Sequence, residues 1–252
     1  MKGNLTIDNG NTTVKVAYFI GKKLVATNRF KRHDTSVLER FVSTYKPDTA
    51  IMCSTASDED TAPVERLIAA RCQHLIHLTH ETPLPVKLGY HTPHTLGRDR
   101  IATAVGAWSL APHDADVLVI DAGTAITYDL VTSQDNCFVG GNIAPGLELR
   151  FKALHEHTGR LPLVHPDGEL PVMGYDTDTA IRSGVLFGLI GEIKGYINRL
   201  GDTHHNLTVF ITGGDGKLLH TLLNDSSIIY QEHLAAEGLN RIFMYNDKND
   251  NL

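Results

Sequence analysis

Cysteine is scarce. The chain has three in 252 residues, Cys53, Cys72 and Cys137, an odd number with no Cys-x-x-Cys spacing. That pattern speaks against a disulfide framework and for a reducing compartment. Positive charge is also short, with 23 Lys and Arg against 29 Asp and Glu and a net charge of -6. No basic run stands out to neutralise phosphates, which argues against nucleic acid as the main partner. A small anionic ligand stays open, since a few local donors hold it. No apolar run is long enough to cross a bilayer, so no membrane partner is expected. The N-terminus enters a strand after Lys2 without a signal-peptide pattern, and a cytoplasmic protein is the expectation. Two nucleotide motifs are missing as well. There is no G-x-x-x-x-G-K-[ST] and no G-x-G-x-x-G after a strand. Gly213-Gly214-Asp215-Gly216-Lys217 lacks the spacing of the first. The single tryptophan, Trp108, falls on a helical stretch and reads as core.

What is present begins with hydrophobic content. At 42% hydrophobic, the chain is able to bury a sizeable core, in one large domain or two small ones. The most informative stretch is Leu118–Asp129, Leu-Val-Ile-Asp-Ala-Gly-Thr-Ala-Ile-Thr-Tyr-Asp. An apolar run breaks at Asp121-Ala122-Gly123-Thr124 and resumes with strand-like residues through Val131. A strand, a tight glycine turn and a second strand make a hairpin with polar residues at its tip. Leu5-Thr6-Ile7-Asp8-Asn9-Gly10-Asn11-Thr12, running on to Tyr18, has the same shape. Both copies carry Asp-x-Gly and then a Thr. The chain therefore reads as two related halves, 1–114 and 115–252, each opened by one hairpin, with a cleft between the tips.

The rest alternates as a mixed α/β protein does. Strands are expected at Leu5–Asp8, Thr13–Ile20 and Lys23–Arg29, a helix over 34–45 and a short buried strand at Thr49–Ser54. A polar linker then leads to a helix opened by Thr61-Ala62-Pro63, with Pro63 in its first turn. A strand at Leu75–Leu78 and an irregular stretch with Pro83, Pro85 and Pro93 precede a helix over Ile101–Leu110. Past the central hairpin, Phe138–Ile143 reads as a third strand. A long helix starts near Thr177, with Thr177 or Asp178 as its cap. Ile181, Val185, Leu189, Ile193, Tyr196 and Ile197 line one face. A strand at Leu207–Thr212 and a last helix from His233 close the second half.

The tips are the first candidates for chemistry. A glycine turn lets backbone approach a ligand, and its N–H groups bind phosphate oxygens. A carboxylate at a strand end holds a cation that neutralises them. Asp8 with Gly10, Asn11, Thr12 and Lys15 supplies a carboxylate, donors and a positive charge. Asp121 with Gly123 and Thr124 supplies a carboxylate and donors. One such turn alone is more often an ordinary hairpin. Two matched copies heading two halves favour a ligand site. Gly97-Arg98-Asp99-Arg100 lies near a helix start, where the dipole favours anions. There Asp99 suits a general base toward a hydroxyl, and Arg100 suits a substrate carboxylate. His74, His77 and His80 recur at every third residue. A strand does not bring that spacing to one face, so a histidine metal site is not expected.

Taken in order, the motifs resemble those of the type III pantothenate kinases, in the acetate and sugar kinase, Hsp70 and actin superfamily. They are Asp8-Asn9-Gly10-Asn11-Thr12-Thr13-Val14-Lys15, Gly97-Arg98-Asp99-Arg100, Asp121-Ala122-Gly123-Thr124-Ala125 and Gly140-Gly141-Asn142-Ile143-Ala144-Pro145-Gly146. Thr177 through Ala180-Ile181 to Ser183-Gly184, and Thr212-Gly213-Gly214-Asp215, complete the set. The resemblance runs from Leu5 to about Phe243. It implies two RNase H-like (actin-like ATPase) domains with mixed sheets around an interdomain cleft. It implies ATP-dependent phosphorylation of the primary hydroxyl of pantothenate, the first step toward coenzyme A. Asp8, Asn9, Gly10, Asn11, Thr12, Thr13, Val14, Lys15 and Thr124 are implied to bind ATP, with Asp8 near Mg²⁺. Asp99 is implied as the proton acceptor. Tyr90, Gly97, Arg98, Asp99, Arg100 and Thr177 are implied around pantothenate, and no individual role attaches to Arg98. Asp121 is implied to help hold a monovalent cation, K⁺ or NH₄⁺, and the protein to be a homodimer. The alternatives are an ATP-binding accessory or regulatory protein of the same fold, and a kinase for another small carboxylate-bearing alcohol.

Overall fold

The computed structural model describes residues 3–10, 13–204 and 206–248. In chain order the strands and helices are β1 (Gly3–Asn9), β2 (Thr13–Ile20), β3 (Lys23–Lys31), α1 (Thr35–Tyr45), β4 (Thr49–Ser54), α2 (Asp58–Ala69), β5 (His74–His77), β6 (Lys87–Leu88) and α3 (Arg98–Leu110). There follow β7 (Asp116–Ala122), β8 (Ala125–Thr132), β9 (Cys137–Pro145), α4 (Leu147–Glu156), α5 (Thr177–Gly201), β10 (Leu207–Thr212), α6 (Gly216–Leu223), β11 (Ile228–Tyr230) and α7 (Leu234–Lys248).

The strand orders show the repeat. The first sheet runs β3-β2-β1-β4-β5, and the second runs β11-β10-β7-β8-β9 with β6 added at its end. Read from the other edge, β9-β8-β7-β10-β11 is the first order again. β1 pairs antiparallel with β2 and parallel with β4. β7 likewise pairs antiparallel with β8 and parallel with β10. Both sheets are therefore mixed, and each central strand carries an acidic residue near its C-terminal end.

Compact packing divides the chain into two units. One holds residues 1–112, 134–139 and 233–252, the other 113–133 and 140–232. The sequence-based division put everything after 114 in the second half, whereas α7 packs on the first unit. The reason is small side chains. A Cβ on Gly238 would lie 1.8 Å from Ala102 O, and one on Gly106 2.2 Å from Leu234 O. Only glycines let α3 and α7 come this close. Asn240 of α7 then accepts from the Asn4 side-chain amide of β1 at 3.0 Å and donates to Gly21 O at 2.9 Å. Such long-range seating leaves no local signal in the sequence.

The core of the first unit collects Leu5, Ile7, Val14, Val16, Leu38, Met52, Val64 and Ile68 under α1 and α2. That of the second gathers Leu118, Ile120, Ile126, Phe151, Ile181, Leu189, Ile193 and Ile211 around α5. The apolar face expected on the long helix is thus core, and Tyr196 stacks on Tyr128 with centroids 4.1 Å apart. Two helix starts differ from expectation. Ser57 accepts the Asp60 N–H, so α2 begins at Asp58 and Pro63 lies inside it. Asp176, rather than Thr177 or Asp178, caps α5 through the Thr179 N–H at 2.8 Å. Trp108 is half-buried rather than core. Its indole donates to Asn136 at 2.9 Å, and the Arg241 guanidinium lies 5.9 Å from the ring centroid.

Candidate active site

In the first unit the site grows from the ends of three adjacent strands. Asp8 faces Lys15 across the antiparallel pair and Cys53 across the parallel pair. Paired positions put their side chains on one face of the sheet. Lys15 Nζ is 3.3 Å from Asp8 Oδ2, and Cys53 Sγ is 3.7 Å from Asp8 Oδ1. The Lys15 side chain is half exposed, so this pair adds little stability. It leaves a cation standing where an anion is able to approach. Asn9 is fully buried, and its amide donates to Ser54 Oγ at 3.1 Å and Thr61 Oγ1 at 3.2 Å. The Gly10 N–H closes the turn on Thr13 O at 3.1 Å. Val14 is core, so any ligand contact it makes is through backbone. Asn11 and Thr12 lie outside the described residues.

The N-terminus of α3 supplies the next group. Gly97 occupies its cap position, which places Asp99 in the first turn. The Arg100 N–H donates to Asp99 Oδ1 at 2.9 Å. Burial pushes the Asp99 carboxyl above its usual range, and the Asp8 charge adds to this. The Arg100 N–H opposes it without cancelling it. A carboxylate so placed is a better proton acceptor than an exposed one. Arg98 is exposed and reaches Ser54 O at 3.3 Å. Arg100 is 6% exposed, its guanidinium 5.8 Å from the Tyr90 ring centroid and 5.9 Å from that of Phe138. Tyr90 and Phe138 meet edge to face at 6.2 Å. Arg100 is thus a buried charge beside two aromatic rings.

In the second unit Asp121 faces Thr127 on β8 and Thr212 on β10. The Gly123 N–H closes its turn on Ala125 O at 3.1 Å, and Thr124 at the tip is exposed. The loop after β10 folds against this tip. Gly213 has φ +95°, and a Cβ there would lie 2.3 Å from Ala122 O and 2.5 Å from Asp121 Oδ1. The Asp215 N–H donates to Ala122 O at 3.0 Å. Asp215 also borders a cavity of about 250 Å³ with Leu147, Phe151, Val164 and His165. Thr177, exposed, opens α5.

The donor sets fit the ions expected of them. Among the described residues no three His, Cys, Asp or Glu side chains gather around one point. Asp8 supplies a single carboxylate beside a glycine turn, which suits Mg²⁺ carried mainly by substrate phosphates. Around Asp121 the flanking side chains are hydroxyls, the oxygen donors that a hard cation takes.

A family model for type III pantothenate kinases matches residues 4–199. This chain belongs to the type III pantothenate kinase family. It is 45% identical to a type III pantothenate kinase of Phocaeicola vulgatus over 248 residues, 97% of this chain and 99% of that one. It is 44% identical to one of Bacteroides fragilis over 244 residues, covering 97% and 98% of the two chains. Among solved structures it resembles a Baf family transcriptional activator from Campylobacter jejuni, with TM-score 0.63, 22% identity and coverage of 98% and 100%. It also resembles ADP-bound MreB5 of Spiroplasma citri, with TM-score 0.53, 11% identity and coverage of 100% and 99%. These likenesses show the actin-like fold. Asp8, Asp99 and Asp121 each stand near a strand or helix end.

Several site residues carried no motif signal. Cys53 and Ser54 end a strand that reads only as buried. Thr61 sits within a helix, and Phe138 looks like any strand aromatic. Pairing β1 with β4 in parallel would have flagged Cys53, since it sets Cys53 beside Asp8.

Proposed function

We infer that this kinase transfers the γ-phosphoryl group of ATP to the primary hydroxyl of pantothenate, giving 4'-phosphopantothenate and ADP. The observation that carries the assignment of the base is Asp99. It is a carboxylate whose burial raises its affinity for a proton, fixed by its neighbour's N–H, and close enough to Asp8 to feel its charge. Asp99 accepts the hydroxyl proton as the oxygen bonds to phosphorus and the bond to ADP breaks. Phosphoryl transfer asks a protein mainly for position and charge. Backbone N–H groups of Asp8–Lys15 and the Lys15 ammonium bind phosphates, with Asp8 beside their Mg²⁺. Thr124 contacts ATP. The cavity beside Asp215 takes the purine base. Mg²⁺, when bound, neutralises charge on the transferred phosphoryl group.

Arg100 supplies a buried positive charge beside Tyr90 for the carboxylate of pantothenate. Gly97, Arg98 and Thr177 complete that subsite. Asp121 helps hold K⁺ or NH₄⁺. A homodimer is supported by exposed apolar side chains in the second unit: Ile143, Val172, Met173, Tyr175 and Phe187. The free cysteines fit the cytoplasm, and no described helix is long and apolar enough to cross a membrane. The test is ADP release with ATP and pantothenate in potassium and in sodium buffer. Pantothenate-dependent turnover that falls in sodium is the expected result. Turnover indifferent to the cation removes the role of Asp121, and ATP binding without pantothenate-dependent ADP removes the substrate.

A further inference from the structure

Cys53 is a buried group at the first tip to which the proposed reaction gives no role. It is 1% exposed, at the end of the strand beside β1. Its neighbours Ala50 and Met52 belong to the apolar cluster under α1 and α2, and Cys53 is not part of it. Alternation along the strand turns it to the face that carries Asp8. Cys72, by contrast, lies within the apolar cluster.

We propose that Cys53 is a positioning residue for phosphoryl transfer: its S–H donates to Asp8 Oδ1 and fixes the carboxylate that meets the Mg²⁺-bound phosphates. The inference rests on the reading of Asp8 given above. The two carboxylate oxygens are held from the two neighbouring strands, Oδ1 by Cys53 Sγ at 3.7 Å and Oδ2 by Lys15 Nζ at 3.3 Å. The Lys15 side chain is long and half exposed, with more rotatable bonds than a short buried donor. The thiol carries one S–H donor, and Asp8 Oδ1 lies within its reach. An apolar side chain here would leave Oδ1 without this partner, at the cost of a hydrogen bond to a charged group.

The experiment compares the full chain with Cys53→Ala, Cys53→Ser and Asp8→Ala. Kinetics are run with MgATP varied at saturating pantothenate, and then the reverse. Binding of a non-hydrolysable ATP analogue with Mg²⁺ is followed by calorimetry without pantothenate. The infrared S–H stretch of Cys53 is identified as the band lost in Cys53→Ser. Cys53→Ala is expected to raise KM for MgATP and weaken analogue binding by about fivefold, with KM for pantothenate unchanged. Cys53→Ser, which keeps a donor, stays within about twofold of the parent. In Asp8→Ala the S–H band moves to higher frequency, the mark of a lost hydrogen bond. Parent-like analogue binding by Cys53→Ala overturns the proposal, as does an S–H band unmoved in Asp8→Ala. Where Cys53→Ala does not fold, that band decides. Parent-like binding and turnover by Asp8→Ala would instead sink the reading of Asp8 itself.

Discussion

Asp8 and Asp121 occupy one place in two copies of a fold, and their neighbours differ. Each lies near the end of a central strand, beside one antiparallel and one parallel neighbour. For Asp8 these neighbours are Lys15 and Cys53, a cation and a thiol. For Asp121 they are Thr127 and Thr212, two hydroxyls. The turns differ too. Gly10 bonds to Thr13, three residues on, and Gly123 to Ala125, two residues on. The second tip is further braced by the loop after β10. Duplication thus fixes where a carboxylate stands, and the flanking strands decide what it handles. A carboxylate beside ammonium and backbone donors suits phosphates with their magnesium. One among hydroxyls suits a lone cation.

The largest test of this division removes the proposed base, Asp99, which comes from α3. Asp99→Asn should lower kcat by roughly 10²–10⁴-fold while ATP still binds by calorimetry. Near-normal turnover would remove Asp99 from the reaction. The raised carboxyl also has a sign for stability. In the folded state Asp99 holds its proton to higher pH than in the unfolded chain. Its charged form therefore costs stability at neutral pH, and that cost vanishes below the unfolded value. Asp99→Asn should melt higher than the parent at pH 7 and no higher near pH 3. The parent's acid limb in kcat should lie above the ordinary carboxylate range.

Next come the two matched carboxylates. Asp8→Asn should lower turnover by about 10²-fold in potassium and sodium alike, as expected for loss of an electrostatic element at phosphate. Asp121→Asn should instead abolish the difference between the two buffers. Its loss is smaller, about tenfold, because a monovalent cation carries less charge. Assays crossing both variants with both salts separate the roles. If Asp8→Asn erases the potassium response and Asp121→Asn keeps it, the assignment is reversed.

The bracing of the second tip yields a smaller effect on stability. Gly213→Ala puts a side chain on a positive φ and into Ala122 O and Asp121 Oδ1. It should cost about 1–3 kcal/mol in urea unfolding and blunt the potassium response. Gly10→Ala meets only Thr13 O, at 3.2 Å, and should cost less than 1 kcal/mol. Equal costs would show that the two tips are equally crowded.

How much of this was legible in the sequence follows from range. The hairpins, with their glycine turns and alternating strands, are local, and their duplication is visible in Asp-x-Gly-x-Thr and Asp-x-Gly-Thr. The helices whose apolar spacing is regular, such as α5, were legible too. What sequence did not show depends on contacts distant along the chain. The pairing of Cys53 with Asp8 spans 45 residues, and that of Asn240 with Asn4 spans 236. The approach of Arg100 to Phe138 is likewise a tertiary fact. The family resemblance grouped Arg100 with Tyr90 around one substrate and was silent on burial.

The smallest effect tests whether the far end of the second copy, away from Asp121 along the same strand, is structural only. Asp116 opens β7 and accepts the Ser133 N–H at 2.7 Å and hydroxyl at 2.9 Å, with the His204 ring on its other oxygen. Burial pushes its carboxyl up, but the Ser133 N–H, His204 and the Ser133 hydroxyl outweigh it and leave it below the usual range. A carboxyl depressed on folding stabilises above its unfolded value, and the gain is lost as pH falls through the folded one. The parent should therefore lose this contribution only in acid, below about pH 4. Asp116→Asn removes it at neutral pH, at about 1 kcal/mol or 2–4 °C in Tm. It should leave kcat and the potassium-to-sodium ratio unchanged, since the proposed cation residue, Asp121, lies at the other end of β7. A shift in that ratio would mean that the strand transmits strain along its length, and the comparison of the two tips would have to include what holds each strand from behind.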